Sequence, residues 1–270
     1  MVGAACALSE KSLDRAWQNG AVALIVSLAL QIAVNYANDY SDGIRGTDEN
    51  RVGPMRLVGS GSKTAVQVKR AAIISFAVAA VFGLYLAVVT NLWLIVFGAL
   101  CITAGWFYTG GKNPYGYIGL GEVFVFIFFG VVATVGTTFV IIQKVTLVSV
   151  MCSIVVGCLA CALLAVNNLR DISGDSMANK RTLAVRVGDK GARTFYVGLF
   201  SLAALAIILT AFLNIAVLLG LFGLLTAIRP IQKVRRGALG ADLVVVLGMT
   251  GRTQIVTSLT LSLGLIIAGR

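Results

Sequence analysis

The sequence predicts an all-α fold, a multi-span bundle of transmembrane helices that forms one integral-membrane domain over residues 1–270. Of the 270 residues, 58% are hydrophobic and 12% are charged, and a soluble domain could not bury so much apolar surface. The apolar stretches are long and continuous, whereas the strands of a transmembrane β-barrel would alternate apolar and polar residues. The chain contains no His, which excludes His-ligated metals, His-ligated haem and Ser/His/Asp catalysis.

Residues 1–19 are too few and too polar to cross a bilayer, and they lack the pattern of a secretory signal. The apolar stretches that follow are long enough to cross a hydrocarbon core of about 30 Å as helices. Eight spans are predicted, near residues 21–42, 71–90, 92–109, 117–142, 145–167, 194–213, 214–228 and 253–268. Residues 240–250 form a shorter apolar stretch, which predicts a half-span or an interfacial segment.

The basic residues predict how the spans are oriented. Of the 22 Lys and Arg residues, 17 lie in the loops after the first, third, fifth and seventh spans, whereas the loops on the other side hold only Lys144. Cytoplasmic loops of membrane proteins are enriched in Lys and Arg, so the basic side is predicted to face the cytoplasm. Four basic residues lack acidic neighbours in the sequence, namely Arg229, Lys233, Arg235 and Arg236. They are predicted to set the orientation of the helices in the membrane or to contact anionic lipid head groups.

Polar residues gather at the end of the first span. Asn35, Asn38, Asp39 and Asp42 are spaced three or four residues apart, which places them on one face of a helix. Asp48 follows two Gly residues and is therefore predicted in a loop. Carboxylates this close repel one another unless a cation lies between them, and hard oxygen ligands suit Mg²⁺ carrying a phosphorylated substrate. We call Asn38, Asp39, Asp42 and Asp48 the first acidic cluster.

A second acidic cluster, Asn168, Asp171 and Asp175, ends another apolar stretch with the spacing of one helical face. Two such helix ends at one mouth of a bundle could hold more than one divalent ion around a diphosphate. Metal ions and nearby Lys or Arg would then stabilise the negative charge that develops when an allylic diphosphate ionises. The candidate cations are Lys112, Lys180, Arg181 and Arg45.

The two acidic clusters, with Tyr108-Thr-Gly-Gly-Lys112 between them, resemble the motifs of the UbiA superfamily of intramembrane aromatic prenyltransferases. The match covers most of the chain, and three motifs in the right order are more specific than any one of them. Two segments, NYANDYSDGIRGTD and NNLRDISGDSMANKRTLAVRVG, are similar to the corresponding segments of the family members that prenylate 1,4-dihydroxy-2-naphthoate in bacterial menaquinone synthesis.

This resemblance implies a Mg²⁺-dependent enzyme of the cell membrane whose active site faces the cytoplasm. A polyprenyl diphosphate would alkylate 1,4-dihydroxy-2-naphthoate, with loss of CO₂ and diphosphate, to give demethylmenaquinone. The implied metal ligands are Asp39, Asp42, Asp48, Asp171 and Asp175. The implied diphosphate contacts are Asn38, Arg45, Lys112, Asn168, Lys180 and Arg181. Tyr108 would face the allyl cation or position the acceptor. Family members usually have nine spans, so the resemblance also implies that most of a first helix is missing.

Other functions remain open at the level of sequence. Within the superfamily, the acceptor could be 4-hydroxybenzoate, chlorophyllide or haem. A transporter would be expected to carry its acids at mid-bilayer on broken helices rather than at helix ends. A cytidine-diphospho-alcohol phosphotransferase would require further spaced Asp residues after Gly43, which the sequence lacks. Glu122 is predicted either to contact substrate or to form an interhelical hydrogen bond.

Overall fold

The computed structural model describes residues 1–10, 16–47 and 53–269, and within these ranges the chain is helical and contains no strand. This confirms the predicted fold class. Asp48 lies outside the described residues. The helices are α1 (Val2–Ser9), α2 (Ala16–Ile44), α3 (Ala65–Val89), α4 (Trp93–Phe107), α5 (Gly121–Ile142), α6 (Leu147–Arg170), α7 (Ile172–Met177), α8 (Leu183–Thr210), α9 (Ile215–Arg235) and α10 (Ala241–Ala268).

Seven of the described helices are long and apolar enough to cross a membrane, and α4 is apolar but shorter, with 15 residues. These eight helices correspond to the eight predicted spans. The prediction for residues 240–250 is wrong, because this stretch belongs to the continuous 28-residue helix α10. The polar residues after this stretch lie inside the helix, where the Thr253 hydroxyl donates to the carbonyl oxygen of Met249 at 3.1 Å.

The chain forms two compact units, and the first comprises Met1–Gly20, Glu122–Arg170 and Val187–Arg270. Its helix α6 is buried along much of its length, including Cys158 and Cys161. Both thiols are free, as expected for small packing residues. A Cβ placed on Gly130 of α5 would lie 2.5 Å from the Cα atom of Gly157 of α6, so these helices pack with their backbones in contact.

The second unit comprises Ala21–Gly121 and Asp171–Arg186. Its core joins α2 and α3 through the buried side chains of Ala33, Ala37, Ala72 and Phe76, against which Trp106 of α4 packs. Small residues on α2 allow the neighbouring helix to approach closely. This packing fixes the end of α2, where Asn38, Asp39 and Asp42 lie.

Helix α4 approaches this core through Gly105. A Cβ at this position would lie 2.9 Å from Cγ2 of Val34 and 3.2 Å from the ring of Phe76. In the same helix, a Cβ on Gly98 would meet nothing within 4 Å. Gly105 and Gly98 therefore provide a matched test of close packing in the second unit.

We expect Gly105→Val to destabilise the protein by about 1–3 kcal/mol, because the added atoms force α4 away from α2 and α3. Gly98→Val adds the same atoms to the same helix in open space and should leave stability nearly unchanged. Thermal unfolding of both variants in detergent would measure the difference. Equal unfolding midpoints would contradict the packing described for α4.

Candidate active site

The buried carboxylate of Asp39 anchors a loop to the end of α2. Its two oxygens accept hydrogen bonds from the backbone N–H groups of Leu57, at 2.8 Å, and Val58, at 3.0 Å. Hydrogen bonds to a charged acceptor are stronger than neutral ones. Each carboxylate oxygen has a second lone pair, so this structural role leaves acceptor capacity for a metal ion.

Asp42 and Asp175, one from each acidic cluster, share a single cation. The ammonium group of Lys180 lies 3.9 Å from Oδ2 of Asp42 and 3.6 Å from Oδ1 of Asp175. Both acids are buried, and Lys180 is partly buried. The Thr182 hydroxyl donates to Oδ2 of Asp175 at 3.4 Å. The second unit thus brings together two carboxylates that are far apart in the sequence.

Tyr117, which was not among the site residues predicted from the sequence, completes this arrangement. Its hydroxyl donates to Oδ1 of Asp42 at 2.5 Å. The guanidinium of Arg45 and the ammonium of Lys180 lie over its ring, 5.2 and 5.1 Å from the centroid. Burial, and then the nearby Asp42, raise the pKa of Tyr117 above its usual value, so the phenol remains a proton donor at neutral pH.

The turn that carries Tyr117 depends on a glycine. The 3₁₀ turn Tyr115–Ile118 ends at Gly119, whose φ of 80° is costly for any residue with a Cβ. A Cβ there would also lie 2.8 Å from Nε of Arg186. The backbone N–H of Arg181 donates to the carbonyl oxygen of Tyr117 at 2.8 Å, which ties the turn to the segment carrying Lys180.

Arg45 binds backbone carbonyl groups of the loop that carries Lys112. Its guanidinium donates to the carbonyl oxygens of Thr109, at 2.5 Å, and Gly111, at 2.6 Å. The Thr109 hydroxyl donates to Oδ1 of Asn38 at 2.8 Å. Asn38 and Arg45, which the sequence suggested as diphosphate contacts, therefore hold this loop against the end of α2.

The other motif residues of the second unit have different surroundings. Tyr108 is half-buried, and its ring packs edge-on against that of Tyr115 with centroids 5.5 Å apart. Lys112 and Arg181 are exposed, and the described part of the chain gives neither side chain a hydrogen bond or ion pair. These two cations are free to contact a ligand.

The second acidic cluster does not lie on one continuous helix, so that expectation is wrong. Helix α6 ends at Arg170, and Asp171 has φ −94° and ψ 7°, outside the helical range, before α7 begins. Short polar side chains such as Asp compete with the helical backbone for hydrogen bonds, which favours a break at this position.

Asn168 and Glu122 form an interhelical hydrogen bond within the first unit. The Asn168 side-chain N–H donates to Oε1 of Glu122 at 2.9 Å, and both residues are buried. The Cys161 thiol donates to the backbone carbonyl of Glu122 at 3.1 Å. Of the two roles predicted for Glu122, the structure shows the interhelical bond, which also fixes the orientation of the Asn168 amide.

The charges of the second unit favour a cation. Burial raises the pKa of Asp175 to about 6; Lys180 opposes this shift, and the negative charges of Asp171 and Asp42 add to it. Among the described residues, no three acidic or Cys side chains converge closely enough to hold a metal ion by themselves. Mg²⁺ usually takes one or two protein carboxylates and completes its shell with water and substrate phosphate oxygens. The donor set therefore fits Mg²⁺ bound together with a phosphorylated ligand.

Asp175→Asn tests the electrostatic cost of this site. Because the folded-state pKa lies above the usual value of about 4, the unfolded chain loses this proton first as the pH rises. Stability of the metal-free protein should therefore fall between about pH 4 and 6, and the loss should be complete above pH 6. Asp175→Asn should remove this contribution.

Thermal unfolding in EDTA across this pH range would measure the effect. Asp242→Asn, which changes an exposed acid of the first unit, is the control. If Asp175→Asn retained the same slope of stability against pH as the control, the burial cost assigned to Asp175 would be refuted.

Comparison with known proteins relates this geometry to a family. The sequence model of the UbiA prenyltransferase family matches residues 1–266. A Mycobacterium tuberculosis protein named 1,4-dihydroxy-2-naphthoate octaprenyltransferase is 47% identical over 249 residues, covering 91% of this chain and 84% of that protein. An Escherichia coli protein of the same name is 34% identical over 257 residues, covering 92% and 83%.

Solved structures share the fold at 13% sequence identity. A UbiA homologue from Aeropyrum pernix superposes with a TM-score of 0.75, covering 96% of this chain and 95% of that chain. A UbiA homologue from Archaeoglobus fulgidus, solved with DMAPP and Mg²⁺, gives a TM-score of 0.61 and covers 99% and 93%.

Proposed function

The chain belongs to the UbiA prenyltransferase family, and we propose that it transfers a polyprenyl group from a polyprenyl diphosphate to 1,4-dihydroxy-2-naphthoate. The observation that carries the choice of acceptor is the 47% identity, across 91% of the chain, to a relative named for that acceptor. The geometry of the second unit supports the other half of the reaction, the binding and ionisation of the diphosphate donor.

The proposed reaction balances without a redox partner. The allylic C–O bond breaks, and diphosphate leaves with the electron pair. The ring carbon that bears the carboxylate forms the new C–C bond to the allylic carbon. The carboxylate leaves as CO₂, and its bonding electrons restore the aromatic ring. The product is the reduced form of demethylmenaquinone.

The second unit offers carboxylates for Mg²⁺ in Asp39, Asp42, Asp171 and Asp175, and Asp48 lies outside the described residues. Bound Mg²⁺ would supply positive charge to the leaving diphosphate. The Mg²⁺ and DMAPP bound to the Archaeoglobus homologue support this metal for the family fold.

The chain's own basic side chains would bind the diphosphate together with the metal. Lys180 lies beside the shared carboxylates and can contact phosphate oxygens, as can the exposed Lys112 and Arg181. Tyr117 holds Asp42 in place through its hydroxyl. Arg45 keeps the loop of Lys112 against α2 through its hydrogen bonds to Thr109 and Gly111, and its predicted contact with diphosphate stays a prediction.

The multi-pass helical structure supports a location in a membrane, and we assign the chain to the cell membrane with the acidic clusters facing the cytoplasm. The support for this orientation is the distribution of the 17 basic residues.

Membranes that contain this chain should form product from a long polyprenyl diphosphate and 1,4-dihydroxy-2-naphthoate in the presence of Mg²⁺, but not from 4-hydroxybenzoate. Chromatography of radiolabelled prenyl products would measure both reactions. EDTA should abolish turnover and added Mg²⁺ should restore it. Product from 4-hydroxybenzoate alone would reassign the acceptor, and full activity in EDTA would refute the metal-dependent mechanism.

Tyr117→Phe is expected to lower kcat/KM by about 10- to 100-fold, because a hydrogen bond to a charged group contributes roughly 1.5–3 kcal/mol. The ring that faces both cations is retained, so the change isolates the hydroxyl. The Mg²⁺ concentration needed for half-maximal activity should rise as well, because Asp42 loses the hydrogen bond that positions it. Tyr85→Phe, at an exposed position of α3, is the control. Indistinguishable kinetics for the two variants would show that the Tyr117 hydroxyl does not contribute to the active site.

A further inference from the structure

A groove with a volume of about 420 Å³ lies in the first unit, and none of the residues assigned to prenyl transfer lines it. It runs along the part of α8 that follows Gly188, where a φ of 72° interrupts the helix. One end of the groove is lined by three basic residues, Lys190, Arg193 and Arg235, and by the acidic Asp189. The other end is lined by small residues of α8.

Arg193 connects α8 to the end of α9 and to the residues after it. Its guanidinium forms two hydrogen bonds with the carboxylate of Asp189, at 2.7 and 2.8 Å. It also donates to the carbonyl oxygens of Val234, at 2.7 Å, and Ala238, at 3.0 Å. Because Asp189 neutralises Arg193, this residue fixes the geometry of the groove without adding net charge to it.

Lys190 and Arg235 supply the net positive charge of the groove. Both are exposed, and the described part of the chain contains no acidic partner for either side chain. Two unbalanced cations at the end of apolar helices attract an anionic group.

The remaining lining residues form a track of small side chains. Thr194, Val197, Gly198 and Ser201 follow one face of α8 with helical spacing. The hydroxyl of Thr194 donates to the carbonyl of Lys190 at 3.0 Å, and that of Ser201 to the carbonyl of Val197 at 3.5 Å. Both hydroxyls are thus turned towards the backbone of α8. A Cβ on Gly198 would meet nothing within 4 Å, so this face has room for an added chain.

We propose that this groove binds an anionic phospholipid. The phosphate of the head group would lie between Lys190 and Arg235, and an acyl chain would follow the track of small residues along α8. Basic pockets between membrane helices at the cytoplasmic surface suit anionic head groups. Farther along the same helix, Leu202, Leu205 and Leu209 are exposed, as expected for a surface that faces lipid.

Lipid binding to the purified full chain would test the charges. Native mass spectrometry in detergent would compare retained phosphatidylglycerol with retained phosphatidylcholine. Lys190→Gln with Arg235→Gln should weaken phosphatidylglycerol binding by more than about tenfold, since each basic residue near a membrane contributes a factor of several. The control removes the same two charges from Lys233 and Arg236, which lie at the same helix end but do not line the groove. Equal binding by the two double variants would overturn the proposal.

Gly198→Leu tests the binding of the acyl chain without changing the charge of the groove. It remains a test of the proposal if the double variant unfolds. The added side chain would fill the track, so phosphatidylglycerol retention should fall while binding of inorganic phosphate should not. Unchanged lipid retention in Gly198→Leu, or phosphate binding as tight as that of the lipid, would show a site for a phosphate group alone and refute the lipid assignment.

Discussion

The burial of two carboxylates around one ammonium group constrains the second unit. Asp42 and Asp175 are both buried, and a buried charge without a partner is strongly destabilising. Lys180 provides one positive charge for both acids, at 3.9 and 3.6 Å. The carboxylates therefore retain excess negative charge even when their nearest cation is present. A second cation, such as Mg²⁺ with a diphosphate, would relieve this excess where the ligand binds.

The local structure of the second unit serves to hold these acids in place. Asp39 binds two backbone N–H groups of one loop, and Arg45 binds two backbone carbonyl groups of the loop that carries Lys112, so charged side chains at the end of α2 organise both loops. Gly119 permits the turn that delivers the Tyr117 hydroxyl to Asp42. The packing of α2 against α3 through Ala33 and Ala37 fixes the position from which these contacts start.

The sequence was sufficient to predict the helical class, the apolar spans and the helix shared by Asn38, Asp39 and Asp42, because apolar length and helical spacing are local properties. It could not predict the break at Asp171, since an Asp at a helix end is compatible with either conformation. It also missed Tyr117, whose role depends on a contact with Asp42, 75 residues away in the sequence. The continuity of α10 was missed because the apolar stretch 240–250 is too short to span by itself, while the hydroxyl of Thr253 beyond it is satisfied within the helix.

The basic residues show most clearly what composition leaves undetermined. The charge bias of the loops treats all 17 residues alike, yet those that the structure describes have distinct environments. Lys180 neutralises buried carboxylates, while Arg45 and Arg193 bind backbone carbonyl oxygens. A guanidinium suits the latter role because its planar fork donates several hydrogen bonds at once. Lys190 and Arg235 have no such partner in the described part of the chain, and this distinguishes cations available to a lipid from those already used within the protein.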